Sequence, residues 1–198
     1  MQAHNHQKYW LGLHLIPEFG IVRISQLLAH FEGVEELWYA TETALHNTSL
    51  SERLIEHFVS ARKSVDLEKE FEKVQKLQVN IVTLEDDSYP ALLRTIPDPP
   101  TLLYVRGELT RADDKCLAVV GTRKPSKYGR DVAYRLANYV AQQDITIVSG
   151  LAQGVDTASH HGALDSGGRT IAVLGNGIDR IYPSENRELA DEIVKNGA

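Results

Sequence analysis

The chain has 198 residues, enough for one large or two small domains, and its 42% hydrophobic content is enough to build folded cores. A net charge of −6 excludes a uniformly basic polyanion binder, so any polyanion must be met by a local field. The single cysteine, Cys116, excludes internal disulfides and fits a reducing, cytoplasmic compartment; no apolar run reaches the roughly 18 residues of a membrane span, and the polar residues after Met1 do not read as a secretory signal.

Residues 1–80 read as a small all-α domain. Tyr9, Trp10, Leu13 and Ile16 form a helical stripe. A second helix holds Ile24, Leu27, Leu28 and Phe31 inside, and Gly33 is expected to end it. Helix starts recur at Thr41 and at Ser49-Leu50-Ser51. The loop Pro17-Glu18-Phe19-Gly20 carries an acid and has only Arg23 nearby, so packing or partner contact, not DNA contact, is its expected role. From Ser51 to Gln78 runs a long amphipathic helix, whole or broken, with Leu54, Phe58, Ala61, Val65, Phe71, Val74 and Leu77 on one face. Its alternating Glu68-Lys69-Glu70 and Glu72-Lys73 read as a solvated face. His4 and His6 lie in a polar tail and are not expected to hold a metal.

Residues 81–198 read as α/β, with the join near residues 79–85. Ile81–Leu84 and Thr101–Val105 are candidate strands, expected to extend the main sheet at its amino-terminal side. Between them, Glu85-Asp86-Asp87-Ser88 is an acidic turn, expected to be solvated and not metal-binding. Then come three apolar runs, Leu117–Val120, Ile145–Val148 and Thr170–Leu174, none with polar alternation. Such runs predict strands buried on both faces, as a parallel sheet requires. Each ends at or beside a glycine (Gly121, Gly150 and Gly175), and helical segments separate them, giving βαβαβ. Right-handed crossovers place the three glycine ends on the carboxyl edge, where open α/β sheets bind ligands.

The loop Gly121–Arg130 holds Arg123, Lys124, Lys127 and Arg130 and no acid. Ser126 is placed to cap a helix whose apolar stripe is Val132, Leu136 and Val140. Amides at that helix start, the positive dipole end and Arg123 together predict an anion site. The dinucleotide fingerprint is missing from this loop, and Ser126 stands where a P-loop needs its second glycine. Gly175-Asn176-Gly177 is only a lone G-x-G. In the second loop, Val155, Ala158, Ser159 and Gly162 are mostly small and let a helix lie close to the sheet. Asp156, His160 and His161 share a helix but lack a third firm metal ligand, so they are expected to tie loop to helix. Farther on, Ser184 is expected to cap a last helix holding Leu189, Ile193 and Val194 inside, while Tyr182 is placed equally well to stack on a base or to pack under its loop.

Several motifs together resemble one family. They are Gly121-Thr122-Arg123; Ser149-Gly150-Leu151-Ala152-x-Gly154-Val155-Asp156 with His160 and Gly162-Ala163-Leu164; Thr170 to Leu174 with Gly175-x-Gly177-Ile178-Asp179; and Tyr182-Pro183-x-x-Asn186. In this order and spacing they resemble the DprA (Smf) DNA-processing proteins. Upstream, Asp87-x-Tyr89-Pro90, Leu93 and Pro100-x-Leu102-Leu103-Tyr104-x-x-Gly107 continue the likeness.

The resemblance implies a Rossmann-like parallel sheet, incomplete at the C-terminus, preceded by a small all-α SAM-like or helix-hairpin-helix domain: residues 1–80 helical, 81–198 the first half of the Rossmann-like DNA-binding domain. It implies binding of single-stranded DNA, protection of incoming DNA and help in loading RecA during natural transformation and recombination, with a homodimer in the family. RecA and dimer surfaces are expected in the family's remaining half. The family's arginine maps onto Arg123 and its Ser-Gly loop onto Ser149 and Gly150. The expected phosphate-binding set is Gly121, Thr122, Arg123, Lys124, Lys127, Arg130, Ser149, Gly150, Gly154, Gly175, Asn176 and Gly177. No catalytic residue, cofactor or metal is expected. The rival is a Rossmann-like nucleoside-monophosphate phosphoribohydrolase, whose P-G-G-x-G-T-x-x-E motif is absent from these 198 residues.

Overall fold

In a computed structural model the stripe Tyr9, Trp10 and Leu13 of the first helix is buried, as its spacing requires, together with Ile16 just past the helix end. The structure describes the backbone of residues 2–198 and the side chains of residues 6–198; the side chain of His4 lies outside them. Contacts divide the chain into two units, one of Met1–Tyr89 with Leu93–Tyr104, the other of Pro90–Leu92 with Val105–Ala198.

The first unit contains α1 (Gln2–Leu15), α2 (Ile21–Leu28), α3 (Val34–Tyr39), α4 (Glu42–His46), α5 (Glu52–Ser64) and α6 (Leu67–Lys76). Their apolar faces meet in one core that includes Trp10, Ile24, Leu37, Leu45, Ile55 and Phe58. Gly33 does not close α2, which ends at Leu28; it opens α3 in an extended conformation. The Ser51–Gln78 segment is broken at Val65 and Asp66, and Asp66 caps α6 by accepting from the Lys69 amide at 3.1 Å. Leu77, past the last turn of α6, is 45% exposed and leaves the apolar face.

β1 (Asn80–Thr83) and β2 (Leu102–Val105), with the short helix α7 (Ala91–Arg94) between them, form a two-stranded sheet of their own. They do not extend the main sheet. Ile81 and Leu102 pack instead against Leu11 of α1, with Phe71 and Val74 of α6 beside them. A four-residue apolar strand pairs with whatever face buries it, and here α1 offers one. The acidic turn is occupied internally, since Asp86 Oδ2 accepts from the Thr83 amide at 2.6 Å and its hydroxyl at 2.9 Å.

The second unit carries β3 (Cys116–Ala118), α8 (Lys127–Ala141), β4 (Thr146–Ser149), α9 (Val155–Asp165), β5 (Thr170–Ala172) and α10 (Arg187–Asn196). The three strands are parallel in the order β3-β4-β5, with Leu117 opposite Ile147 and Val148 opposite Ile171. Two expectations about burial fail. All three residues of β3 are exposed, and Val120 and Val173 beyond the strand ends are 77% and 60% exposed. A continuous apolar run is buried on both faces only where helices cover both, and α8 and α9 lie on the central β4. Likewise α8 does not bury Val132 and Leu136, which are 43% and 45% exposed. It buries Ala133, Ala137 and Ala141.

The reason is the close approach of α8 and α9. A Cβ on Gly162 would stand 3.0 Å from the Tyr134 carbonyl carbon and 3.2 Å from the Asn138 amide nitrogen. Two helices that meet backbone to backbone leave room only for alanine between them. Asn138 Nδ2 donates to Gly162 O at 2.9 Å across this contact. Ser184 does not cap α10; it lies in a 3-10 turn, and Asn186 stands at the N-cap of the helix.

At the amino edge of the sheet, Arg169 fastens the unit. Its Nε and Nη2 donate to the two carboxylate oxygens of Asp113 at 2.6 and 2.8 Å, its Nη1 to Asn196 O at 2.7 Å, and its Nη2 also to Glu108 O. Burial pushes the Asp113 carboxyl up, but hydrogen bonds from Arg169, the Thr110 amide and Thr146 outweigh burial and hold it below its ordinary value.

Candidate nucleic-acid interface

β3 and β4 are parallel neighbours, so the loops leaving their carboxyl ends emerge side by side. Glycine lets these loops touch. Gly154 has φ 90°, which glycine adopts without strain, and a Cβ there would stand 2.5 Å from Thr122 O and 2.8 Å from the Arg123 carbonyl carbon. A Cβ on Gly121 would stand 2.7 Å from Val155 Cγ2. The Val155 amide donates to Thr122 O at 3.2 Å. The Gly-Thr-Arg loop is therefore seated on the first turn of α9, with the Arg123 backbone beside Gly154.

The same loop runs into α8. Thr122 Oγ1 accepts from the Lys124 amide at 3.2 Å, and Ser126 Oγ accepts from the Gly129 amide at 3.1 Å, capping the helix as expected. Arg123, Lys124, Lys127 and Arg130 are all exposed. Among the described residues none of the four has an ion-pair partner. Four unpaired cations thus gather at the positive end of α8. Arg123, Lys124 and Arg130 share the rim of one open cleft between α8 and α9.

The second loop is built differently from the expectation. Ser149 is buried, and its hydroxyl donates to Val119 O at 2.6 Å. The amides of Gly150 and Ala152 donate to Asp156 Oδ2 at 3.1 and 3.3 Å. Asp156, only 7% exposed, therefore puts its own carboxylate on amides of the loop ahead of α9, where an external anion was expected. Ser149 and Gly150 shape the loop and offer it no free donor. The third loop folds on itself: Asn176 Nδ2 donates to Gly177 O at 3.0 Å and to Arg180 O. Among the described residues no hydrogen bond links Gly175, Asn176 or Gly177 to the cationic loop. The structure thus brings together Gly121, Thr122, Arg123, Lys124, Arg130 and Gly154, and sets Lys127 on the first turn of α8.

His160 and His161 take separate roles. His160 is fully buried, with Nδ1 2.7 Å from Thr170 Oγ1, and that hydroxyl donates to Ile147 O at 2.9 Å. The hydroxyl proton is committed, so Nδ1 carries the proton and Nε2 keeps a bare, unpartnered lone pair. Burial, with His161 as a lesser cause, pushes His160 down to about 4. Neither histidine is bonded to Ser149, and no nucleophile–base pair forms there. Among the described residues no three His, Cys, Asp or Glu side chains are grouped to hold a metal ion, and no helix is long and apolar enough to cross a membrane.

Three residues gain importance from the structure. Asn186 is buried and its Nδ2 donates to Leu151 O and Thr157 Oγ1, both at 2.8 Å, tying the second loop to the start of α10. Its signal in the sequence was its place at the end of the Tyr182-Pro183-x-x-Asn186 motif, just ahead of an amphipathic helix. Tyr128, on the first turn of α8, is 78% exposed among the cations. Tyr182 is 67% exposed, so its ring is not packed under its loop.

Comparison with known proteins finds a family and a fold that match this chain. The model of the family described as DNA recombination-mediator protein A matches residues 80–198. Protein Smf of Synechocystis is 35% identical over 98% of this chain and 50% of its own length. The DNA processing protein DprA of Bacillus subtilis is 31% identical over 88% of this chain and 62% of its own. The chain therefore spans about half to three-fifths of these relatives. Among solved structures, DprA from Streptococcus pneumoniae superposes with a TM-score of 0.73 at 30% identity, over 98% of this chain and 64% of that one. DprA from Helicobacter pylori, described for its single-stranded DNA binding mode, gives 0.51 at 34% identity, over 61% of this chain and 54% of that one.

Proposed function

The chain belongs to the DNA recombination-mediator protein A family, and we propose that it binds single-stranded DNA on the cationic rim formed by Arg123, Lys124, Lys127 and Arg130. The observation that carries this reading is the seating of the Gly-Thr-Arg loop on α9 through Gly121 and Gly154, which gathers unpaired cations at one sheet edge. Such a rim holds phosphodiesters without choosing a sequence. The Helicobacter pylori relative, whose description names single-stranded DNA, supports the choice of polymer.

For the whole protein, the proposal extends to protecting incoming DNA and helping to load RecA in transformation and recombination, in the cytoplasm and as a homodimer. It is a binding role and not an enzymatic one. In its support, the Ser149 hydroxyl is committed to Val119 O and His160 to Thr170.

The test is anisotropy of a labelled single-stranded oligonucleotide and its duplex across a salt series. The single strand is expected to bind more tightly at low salt, and Arg123→Ala to weaken it and reduce the logarithmic salt slope by about 0.7, the value for one lost phosphate contact. No retention of the single strand at low salt would refute the proposal; unchanged affinity and slope in Arg123→Ala would remove this arginine from the site.

A further inference from the structure

The second loop is kinked at a residue that does not favour the kink. Leu151 stands at φ 57°, in the left-handed region that a leucine reaches only at a cost. Such a conformation persists where the surroundings fix it from several sides. Here the Leu151 side chain is buried with Leu189 and Ile193 of α10. The amides on either side of it, of Gly150 and Ala152, are taken up by Asp156. Its carbonyl accepts from Asn186 Nδ2 at 2.8 Å.

The same Nδ2 donates to Thr157 Oγ1 at 2.8 Å. That hydroxyl gives its own proton to Ala152 O at 2.7 Å, and the Thr157 amide reaches the same carbonyl at 3.2 Å. Asn186 therefore holds the loop directly at Leu151 and through Thr157 at Ala152. Two residues on stands Gly154, on which the first loop is seated, with Thr122 O and the Arg123 carbonyl carbon too close to admit a Cβ. A shift of the second loop reaches Arg123 by this contact. Asn186 itself is 7% exposed, and among the described residues its side-chain amide makes no hydrogen bond to the first loop.

We infer that Asn186 is a positioning residue for the cationic rim: by holding Leu151 in its left-handed conformation it fixes Gly154, and through Gly154 the loop that carries Arg123. The inference rests on the single-strand reading above and adds what keeps that site in its binding shape. Without the Asn186 amide, Leu151 O and Thr157 Oγ1 each lose a donor, and the leucine is free to return to negative φ. The loop then changes course ahead of Gly154, and the Arg123 backbone loses its seat. A rim set in advance binds more tightly than one that must be ordered on the strand.

The experiment is a double-mutant cycle on binding of a single-stranded oligonucleotide, each variant measured across a salt series. Asn186→Ala is expected to weaken binding about fivefold at 0.1 M salt and to lower the logarithmic salt slope by about 0.7, as the loss of one phosphate contact does on a single strand. In an Arg123→Ala background the same substitution should change affinity by less than about twofold, the scatter of independent sites, because the residue it acts through is gone. Thr157→Val removes only the relay to Ala152 and should show the same dependence on Arg123 with a smaller loss. Protection of the β4 amides, measured on each variant, establishes that the sheet is folded; should Asn186→Ala not fold, Thr157→Val decides alone.

A loss by the same factor in both backgrounds, with the salt slope unchanged, would make Asn186 a structural residue or a separate contact and overturn the inference. Wild-type affinity and slope in Asn186→Ala would overturn it as well. Both outcomes leave the single-strand reading standing; failure of the wild-type chain to bind the strand at low salt would overturn that reading and the inference together.

Discussion

Lowering the pH from 7 to 5 should loosen the sheet unit through His160. An unfolded histidine titrates near 6.5, whereas burial pushes His160 down to about 4 in the folded chain. Between these values the unfolded chain binds the proton and the folded chain does not. Stability is therefore complete above pH 6.5 and is lost as the pH falls toward 4. Linkage puts the loss at about 2 kcal/mol by pH 5 and about 3 kcal/mol by pH 4. The site offers no relief, because Nδ1 already donates to Thr170 and Nε2 has no acceptor.

The assay must be chosen with care. Both tryptophans, Trp10 and Trp38, lie in the helical unit, so their fluorescence does not report on the sheet. Hydrogen exchange of the β4 amides, corrected for the intrinsic pH dependence, does. Protection there should fall about twentyfold to thirtyfold from pH 7 to pH 5. His160→Asn keeps a donor where Nδ1 stands and cannot take up a proton, so its protection should stay nearly flat over the same interval. Asp113, held below its ordinary value, loses its contribution only at more acid pH. Equal pH slopes in the variant and the wild type would refute the assignment of this acid sensitivity to His160.

Two further outcomes follow from packing in the same unit. Arg169→Met removes four hydrogen bonds and strands the Asp113 carboxylate, whose side chain is 7% exposed, so the sheet unit should lose about 3–5 kcal/mol in exchange-derived stability, with an unchanged salt slope of DNA binding where it is still folded; a loss under about 1 kcal/mol would show that the network is not a fastening. Gly162→Ala forces α8 and α9 apart at the Tyr134 carbonyl and should cost the sheet unit about 1–3 kcal/mol in exchange-derived stability; wild-type stability would contradict the close approach.

The sequence by itself determined the order of elements and the chemistry of the first loop. Apolar runs ending at glycine specify strands that turn at one edge, and four cations without an acid specify where a polyanion is attracted, whatever the rest of the chain does. Ser126 was legible as a cap because capping is decided within four residues. What the chain could not disclose is which surface each element turns to its neighbours. Val132 and Leu136 look like the buried stripe of α8, yet the alanines one position along are buried, because Gly162 brings another backbone against them. Ser149 and Gly150 look open to a ligand, yet Val119 and Asp156 use their donors. Ile81 and Leu102 look like further strands of the main sheet, yet α1 provides the face that covers them. Local pattern fixes which segments become helix or strand, since that depends on neighbours in sequence; burial, donor satisfaction and the shape of a cleft depend on groups far along the chain, and only the folded molecule brings those groups together.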